Sequence, residues 1–171
     1  MLATYEKVHK DMRITVVTTF HQPGLEQYGQ RFIDSFSKNV DPKIRMVVYA
    51  ENCNPIIPEN DKRIEVRNAE QTLPELQQFK RIWKDVPKAN GKCPWPERRP
   101  RDNHKEFKWD AVRFANKVYA VFEMARDTET DILVWMDADT VVHSPITYGE
   151  FRILVPATQW LHYLGRNKKW P

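Results

Sequence analysis

Asp131-Ile132-Leu133-Val134-Trp135-Met136-Asp137-Ala138-Asp139-Thr140 is the stretch on which the reading of the chain turns. Ile132 to Met136 run without a polar break, and their β-branched and aromatic content predicts a strand buried on both faces of a parallel sheet. Two carboxylates follow at once, with only Ala138 between them. A side-chain period of two lets Asp137 and Asp139 project to one side of the chain just beyond the strand. Like charges held that close are costly unless a cation lies between them. Hard divalent cations take such oxygens and leave positions open for phosphate or water. An Asp-x-Asp can also do no more than cap the next element, but the long apolar run before it favours a site.

Immediately upstream, residues 106–126 predict the longest helix, with Ala111, Phe114, Ala115, Val118, Val121, Phe122 and Ala125 as a broad apolar face. Asp110, Arg113 and Lys117 fall at i, i+3 and i+7 and form a polar stripe. Because this helix feeds the Asp137 strand, its N-terminal end is expected near the carboxyl edge of the sheet.

The first half of the chain supplies the rest of that sheet. Residues 13–20 predict a first strand rich in β-branched side chains, broken by His21-Gln22-Pro23-Gly24. A helix over residues 25–38 follows, placing Leu25, Tyr28, Phe32, Ile33 and Phe36 on one side and ending at Asn39 and the Asp41-Pro42 pair. Residues 44–50 predict a second buried strand with Glu51-Asn52 at its carboxyl end, and residues 63–67 alternate as a shorter, more exposed one. Pro74 opens a helix carrying Leu76, Phe79, Ile82 and Trp83 on one side. Strand and helix alternate in the α/β pattern, for which right-handed crossovers and ligand binding at the carboxyl strand ends are expected. Beyond the motif, His143-Ser144-Pro145 predicts a turn and residues 151–156 a further strand.

Composition bounds the function. A chain of 171 residues that is 41% hydrophobic is large enough for one domain with a real core. It has no apolar run near the ~20 residues that span a bilayer, and no signal-peptide core at its start, so the expectation is a soluble, cytoplasmic protein with no membrane partner. Cys53 and Cys93 stand far apart without ligand-spaced neighbours and are expected to be reduced thiols. The net charge of +4 is uneven: Lys80 to Arg113 holds 11 Lys or Arg against 5 Asp or Glu, leaving the remainder slightly acidic. A basic segment beside an acidic motif suits an anionic ligand such as a diphosphate. Residues 86–104, with four prolines, Trp95 and the cluster Arg98, Arg99, Arg101, predict a long functional or mobile loop. One Trp among prolines is not a stacking platform, which argues against nucleic acid.

The strand leading into Asp137-Ala138-Asp139-Thr140-Val141-Val142 resembles the DxD motif of glycosyltransferases with the GT-A fold, the nucleotide-diphospho-sugar transferase superfamily. The basic helix with Lys108, Arg113 and Lys117 is similar to the segment from which those enzymes contact the diphosphate or sugar. The strand ending in Thr18-Thr19-Phe20 is similar to the one whose tip holds the nucleoside, and Glu51 stands where base or ribose is often read. The resemblance covers residues 13–145. It implies a Rossmann-like, mostly parallel GT-A sheet with helices on both faces, formed by residues 1–171 as one nucleotide-sugar-binding domain. It further implies Mn2+ or Mg2+ held by Asp137 and Asp139, with Asp139 the direct ligand and Asp137 on metal or ribose. Asp110 and Ala138 would complete the contacts to a nucleotide-diphosphate sugar donor, expected to be a UDP-sugar.

The resemblance implies hexosyl transfer to an acceptor that the sequence does not name, or weak hydrolysis of the sugar nucleotide. Family members supply acceptor contacts, a third metal ligand and any base from a C-terminal half that is short or missing in residues 140–171. His143 and His162 are the remaining His there and Glu150 the remaining carboxylate, none with diagnostic spacing. Two alternatives stay open: a non-catalytic sugar-nucleotide binding module, and another metal-dependent nucleotide-processing enzyme. No glycine-rich phosphate loop is present to favour a dinucleotide or P-loop protein.

Overall fold

The computed structural model describes residues 12–92 and 109–154. Strand β1 (Ile14–His21) is followed by a helical turn (Gln22–Gly24), a π-helical turn (Leu25–Gly29) and helix α1 (Gln30–Asn39). Strands β2 (Arg45–Glu51) and β3 (Ile64–Asn68) come next, then the short α2 (Ala69–Thr72), α3 (Pro74–Trp83), α4 (Ala111–Met124), β4 (Ile132–Trp135) and α5 (Tyr148–Leu154). The four strands form one all-parallel sheet in the order β3-β2-β1-β4. The expected α/β architecture is therefore present.

Strand alternation divides the core into two layers. Ile14 and Val16 of β1, Met46, Val48 and Ala50 of β2, and Ile132 and Val134 of β4 meet Phe32, Ile33 and Phe36 of α1 on one face. Val17, Val47 and Tyr49 point the other way, against Leu76 of α3 and Ala115, Ala120 and Met124 of α4. Each fully buried aliphatic or aromatic side chain contributes about 1.5–3 kcal/mol of transfer free energy. Helices thus cover both faces, α1 on one and α3 with α4 on the other.

Several expectations are corrected. The strand read as buried on both faces runs only from Ile132 to Trp135, with Ile132 and Val134 buried and Leu133 and Trp135 half-buried. Among the described residues it pairs with β1 alone and forms a sheet edge. The helix expected from residue 106 begins at Ala111, because the Asp110 carboxylate caps it by accepting from the Arg113 backbone N–H at 3.3 Å. Asp110 is hence not part of a helical stripe with Arg113 and Lys117.

The apolar face assigned to α4 is only partly the one that packs on the sheet, Ala115 being its buried member. Ala115, Ala120 and Met124 face the sheet, while Phe114, Val118 and Phe122 are exposed among the described residues. Ala115 and Ala120 let the helix approach the strands closely, Met124 is fully buried beside them, and Phe114, Val118 and Phe122 sit outside. Ile82 and Trp83 of α3 are likewise exposed, although Trp83 still tilts against Phe79, which meets Tyr119 of α4.

The strand expected over residues 151–156 is helix α5 up to Leu154. A capping box causes this: Glu150 accepts from the Thr147 backbone N–H at 2.7 Å, and Thr147 Oγ1 accepts from the Glu150 N–H at 3.2 Å. The basic cluster of the proline-rich loop, Trp95, Cys93, Lys108 and His162 lie outside the described residues.

Candidate functional site

The strand order creates the site's position. From β1 the chain builds outward through β2 to β3, then returns to place β4 on the opposite flank of β1. The connections diverge where this direction reverses, and in open parallel sheets that position, here the carboxyl ends of β1 and β4, is where ligands bind. Phe20 and His21 end β1 there, and Trp135 ends β4, with Met136 and Asp137 just beyond it. Because α4 leads into a parallel strand, its N-terminal end, with Arg113 and Lys117, stands at the same edge.

Beyond β4 the extended register stops. Met136 still donates its N–H to Val17 O at 3.1 Å, but Thr140 donates to Asp137 O at 3.0 Å, closing a turn over residues 137–140. Asp137 and Asp139 are therefore related by a turn rather than by strand alternation. Asp139 is exposed, and Ala138 is buried, pinning the turn to the layer that contains α1. The chain after the turn is fastened as well. Asn39 Nδ2 donates to Val142 O at 2.6 Å, Val142 N donates to Ser35 Oγ at 3.1 Å, and Tyr148 N donates to Asp41 Oδ2 at 2.9 Å. The backbone N–H of Lys43, which donates to Asp41 Oδ1 at 3.0 Å, and then that of Tyr148 hold the Asp41 carboxyl below its ordinary range. A turn anchored on both sides by rigid elements is the kind of support a binding constellation needs.

Asp137 is held by two donors from its own chain. Its Oδ1 accepts from the Trp135 indole Nε1 at 2.7 Å and from Lys117 Nζ at 3.2 Å. The same ammonium lies 4.8 Å from the centre of the Trp135 ring, a cation–π distance. Trp135 stands two residues before Asp137, the spacing at which strand side chains share a side. Reading it only as part of an apolar run missed that role.

The other expected site residues are distributed unevenly. Thr18 and Phe20 are buried, Phe20 within the layer under α1, and the Thr19 hydroxyl donates to Tyr49 O at 2.7 Å. His21 is the exposed side chain at the β1 tip; its Nδ1 accepts from the Gly24 N–H at 3.3 Å and caps the helical lead-in. Glu51 does reach the carboxyl edge, but it is paired with Lys80 of α3. Asn52 follows it with φ 49°, a left-handed conformation that asparagine tolerates better than most residues. Asp110 is buried at the α4 N-terminus, close in sequence to Arg113 and Lys117, while Lys108 is not among the described residues.

Asp137 and Asp139 offer hard carboxylate oxygens of the type Mg2+ or Mn2+ takes, and an ammonium already sits against one of them as a stand-in cation. No group of three or more His, Cys, Asp or Glu able to hold a metal is found among the described residues. Two carboxylates alone would leave most positions of such an ion to phosphate and water, the usual manner for Mg2+. A groove between α3 and α4, lined by Leu73, Tyr119, Phe122 and Arg126 among others, includes no strand-tip residue and no part of this arrangement. Among the described residues no helix is long and apolar enough to cross a membrane. In comparisons with known proteins, no family model, no curated protein and no solved structure matches the chain.

Proposed function

We propose that the chain is a metal-dependent glycosyltransferase of the GT-A type that binds a nucleotide-diphosphate sugar, a UDP-sugar in the first instance. The observation that carries this reading is the meeting of Asp137 and Lys117 at the carboxyl edge of the sheet beside β1, where the strand order reverses. In this reading Asp139 binds the cation directly, and Asp137 orients metal or ribose. Arg113 and Lys117 meet the diphosphate from the N-terminal half of α4. A divalent cation bound there would supply positive charge to the departing diphosphate. His21, Asn52 and the backbone at the strand tips form the wall available to the nucleoside. A cytoplasmic setting belongs to the same proposal, supported by Cys53 as a free thiol.

One observation favours a second reading, donor binding with slow hydrolysis or none. Glu150, the single carboxylate after Asp139, is engaged in the α5 capping box, and the Thr147 N–H and hydroxyl hold its pKa below the ordinary value. It is thus committed to a helix terminus rather than placed as a base. Calorimetry of UDP and a panel of UDP-sugars, with and without Mn2+, tests the donor assignment, and release of UDP separates turnover from binding. Binding that ignores Mn2+, or no binding, would refute the metal-dependent reading.

A further inference from the structure

Lys117 is engaged on two sides at once, and that arrangement has a use. Its ammonium is 3.2 Å from Asp137 Oδ1 and 4.8 Å from the centre of the Trp135 ring. The Trp135 N–H donates to the same oxygen at 2.7 Å, so both donors converge on Oδ1. Neither partner is locked in place: the Lys117 side chain is 43% exposed and that of Asp137 65%. A pair this exposed is weak, and the four-carbon lysine stem can swing without unpacking the helix.

We propose that Lys117 is an exchangeable counter-ion, resting on Asp137 and Trp135 until a divalent cation takes Asp137, and then transferred to the diphosphate. The inference rests on the nucleotide-diphosphate reading above, with Asp137 on the metal beside Asp139 rather than on the ribose, and adds an order of events to it. A divalent cation on Asp137 repels the ammonium at close range, whereas the carboxylate keeps its orientation through the indole N–H. The displaced lysine needs an anion, and a diphosphate arriving on the metal provides one within reach of the α4 N-terminal half. Metal binding and diphosphate binding are thereby coupled through one side chain: Lys117 opposes the first and assists the second.

The two signs give the test. Mn2+ alone, and then UDP at saturating Mn2+, are titrated into the full chain and into Lys117→Met, which keeps the stem over Trp135 but removes the charge. The expected result is Mn2+ binding that tightens about 3–10-fold and UDP binding that weakens about tenfold, the size of one charge-assisted contact. Lys117→Arg, which retains the charge, is expected to bind Mn2+ no more tightly than the unmodified chain. Weakening of both ligands in Lys117→Met would make the lysine structural and overturn the proposal. Unchanged Mn2+ affinity with weaker UDP would make it an ordinary phosphate contact and also overturn it, while leaving the functional reading intact. An unmodified chain that binds no Mn2+ would overturn both.

Discussion

Lys80 of α3 reaches across to Glu51 at the carboxyl tip of β2, its ammonium paired with the Glu51 carboxylate, and both side chains are largely covered. The residue expected to read a nucleoside is thus already a member of a half-buried ion pair that ties a helix to a strand end. Lys80→Met and Glu51→Gln should each destabilise the fold by about 1 kcal/mol, because each leaves its partner half-buried without a counter-charge. A double-mutant cycle read by urea unfolding should show about 0.5–1.5 kcal/mol of coupling. Strict additivity would mean that the pair does not hold α3 to β2.

Asp139→Ala should leave the urea midpoint nearly unchanged, within about 0.5 kcal/mol, since the side chain is exposed and accepts no hydrogen bond among the described residues. The same substitution should abolish Mn2+-dependent UDP binding. Retained binding in Mn2+ would remove Asp139 from the metal site.

Gly29→Ala should destabilise the protein, although helix propensity alone predicts a gain of about 1 kcal/mol. Gly29 has helical angles, φ −62° and ψ −40°, so conformation is not the obstacle. An added Cβ would lie 2.9 Å from Cδ1 of Phe20, whose ring is buried and cannot withdraw. Overpacking of this kind costs about 1–3 kcal/mol. A raised unfolding midpoint would show that the ring has room to move.

Acid should loosen the start of the sheet in a defined window. Hydrogen bonds from the Arg13 side chain and backbone lower the Asp131 pKa from an ordinary 3.8 to about 2. A depressed carboxylate contributes stability that is full above its unfolded value and is lost as pH falls through the folded one. The stability of the chain should therefore decline between about pH 4 and pH 2. Asp131→Asn should flatten that decline, as followed by urea midpoints at each pH. An identical pH profile in the variant would assign the decline to other carboxylates, Asp41 among them.

Much of this fold is legible in the residues. The periodicity of residues 13–50 marks β1, α1 and β2, because long apolar stretches with Pro and Asn at their ends leave few competing readings. The edge element at β3 is legible for the same reason, through its alternation. Helix α4 is misread because it carries apolar side chains on both sides, and periodicity counts them without knowing that the side with Ala115, Ala120 and Met124 is the one that sits against the strands. Helix α5 is misread because Phe151 to Leu154 has strand-like content, although Thr147 and Glu150 stand at capping-box spacing. At the site, Asp137 and Asp139 are visible as letters, but the turn at Thr140, the pairing of Glu51 and the part played by Trp135 depend on tertiary contacts. No single stretch of sequence contains those contacts.

The π-helical turn at Leu25–Gly29, closed by the Gln30 N–H on Leu25 O, holds one residue more than an ordinary helical turn would need. That surplus is a built-in slack in the chain between the β1 tip and α1. Deleting Gln27, which is exposed, should let the segment close as an uninterrupted α-helix. Phe32, Ile33 and Phe36 would keep their places, and the residues before the deletion would keep theirs, because the widened turn absorbs the spare residue without changing the phase of its flanks. Leu25 would stay in the core, and His21 would still cap Gly24. The spare residue is thus surplus length, which the hand-over from the first strand to its helix does not need.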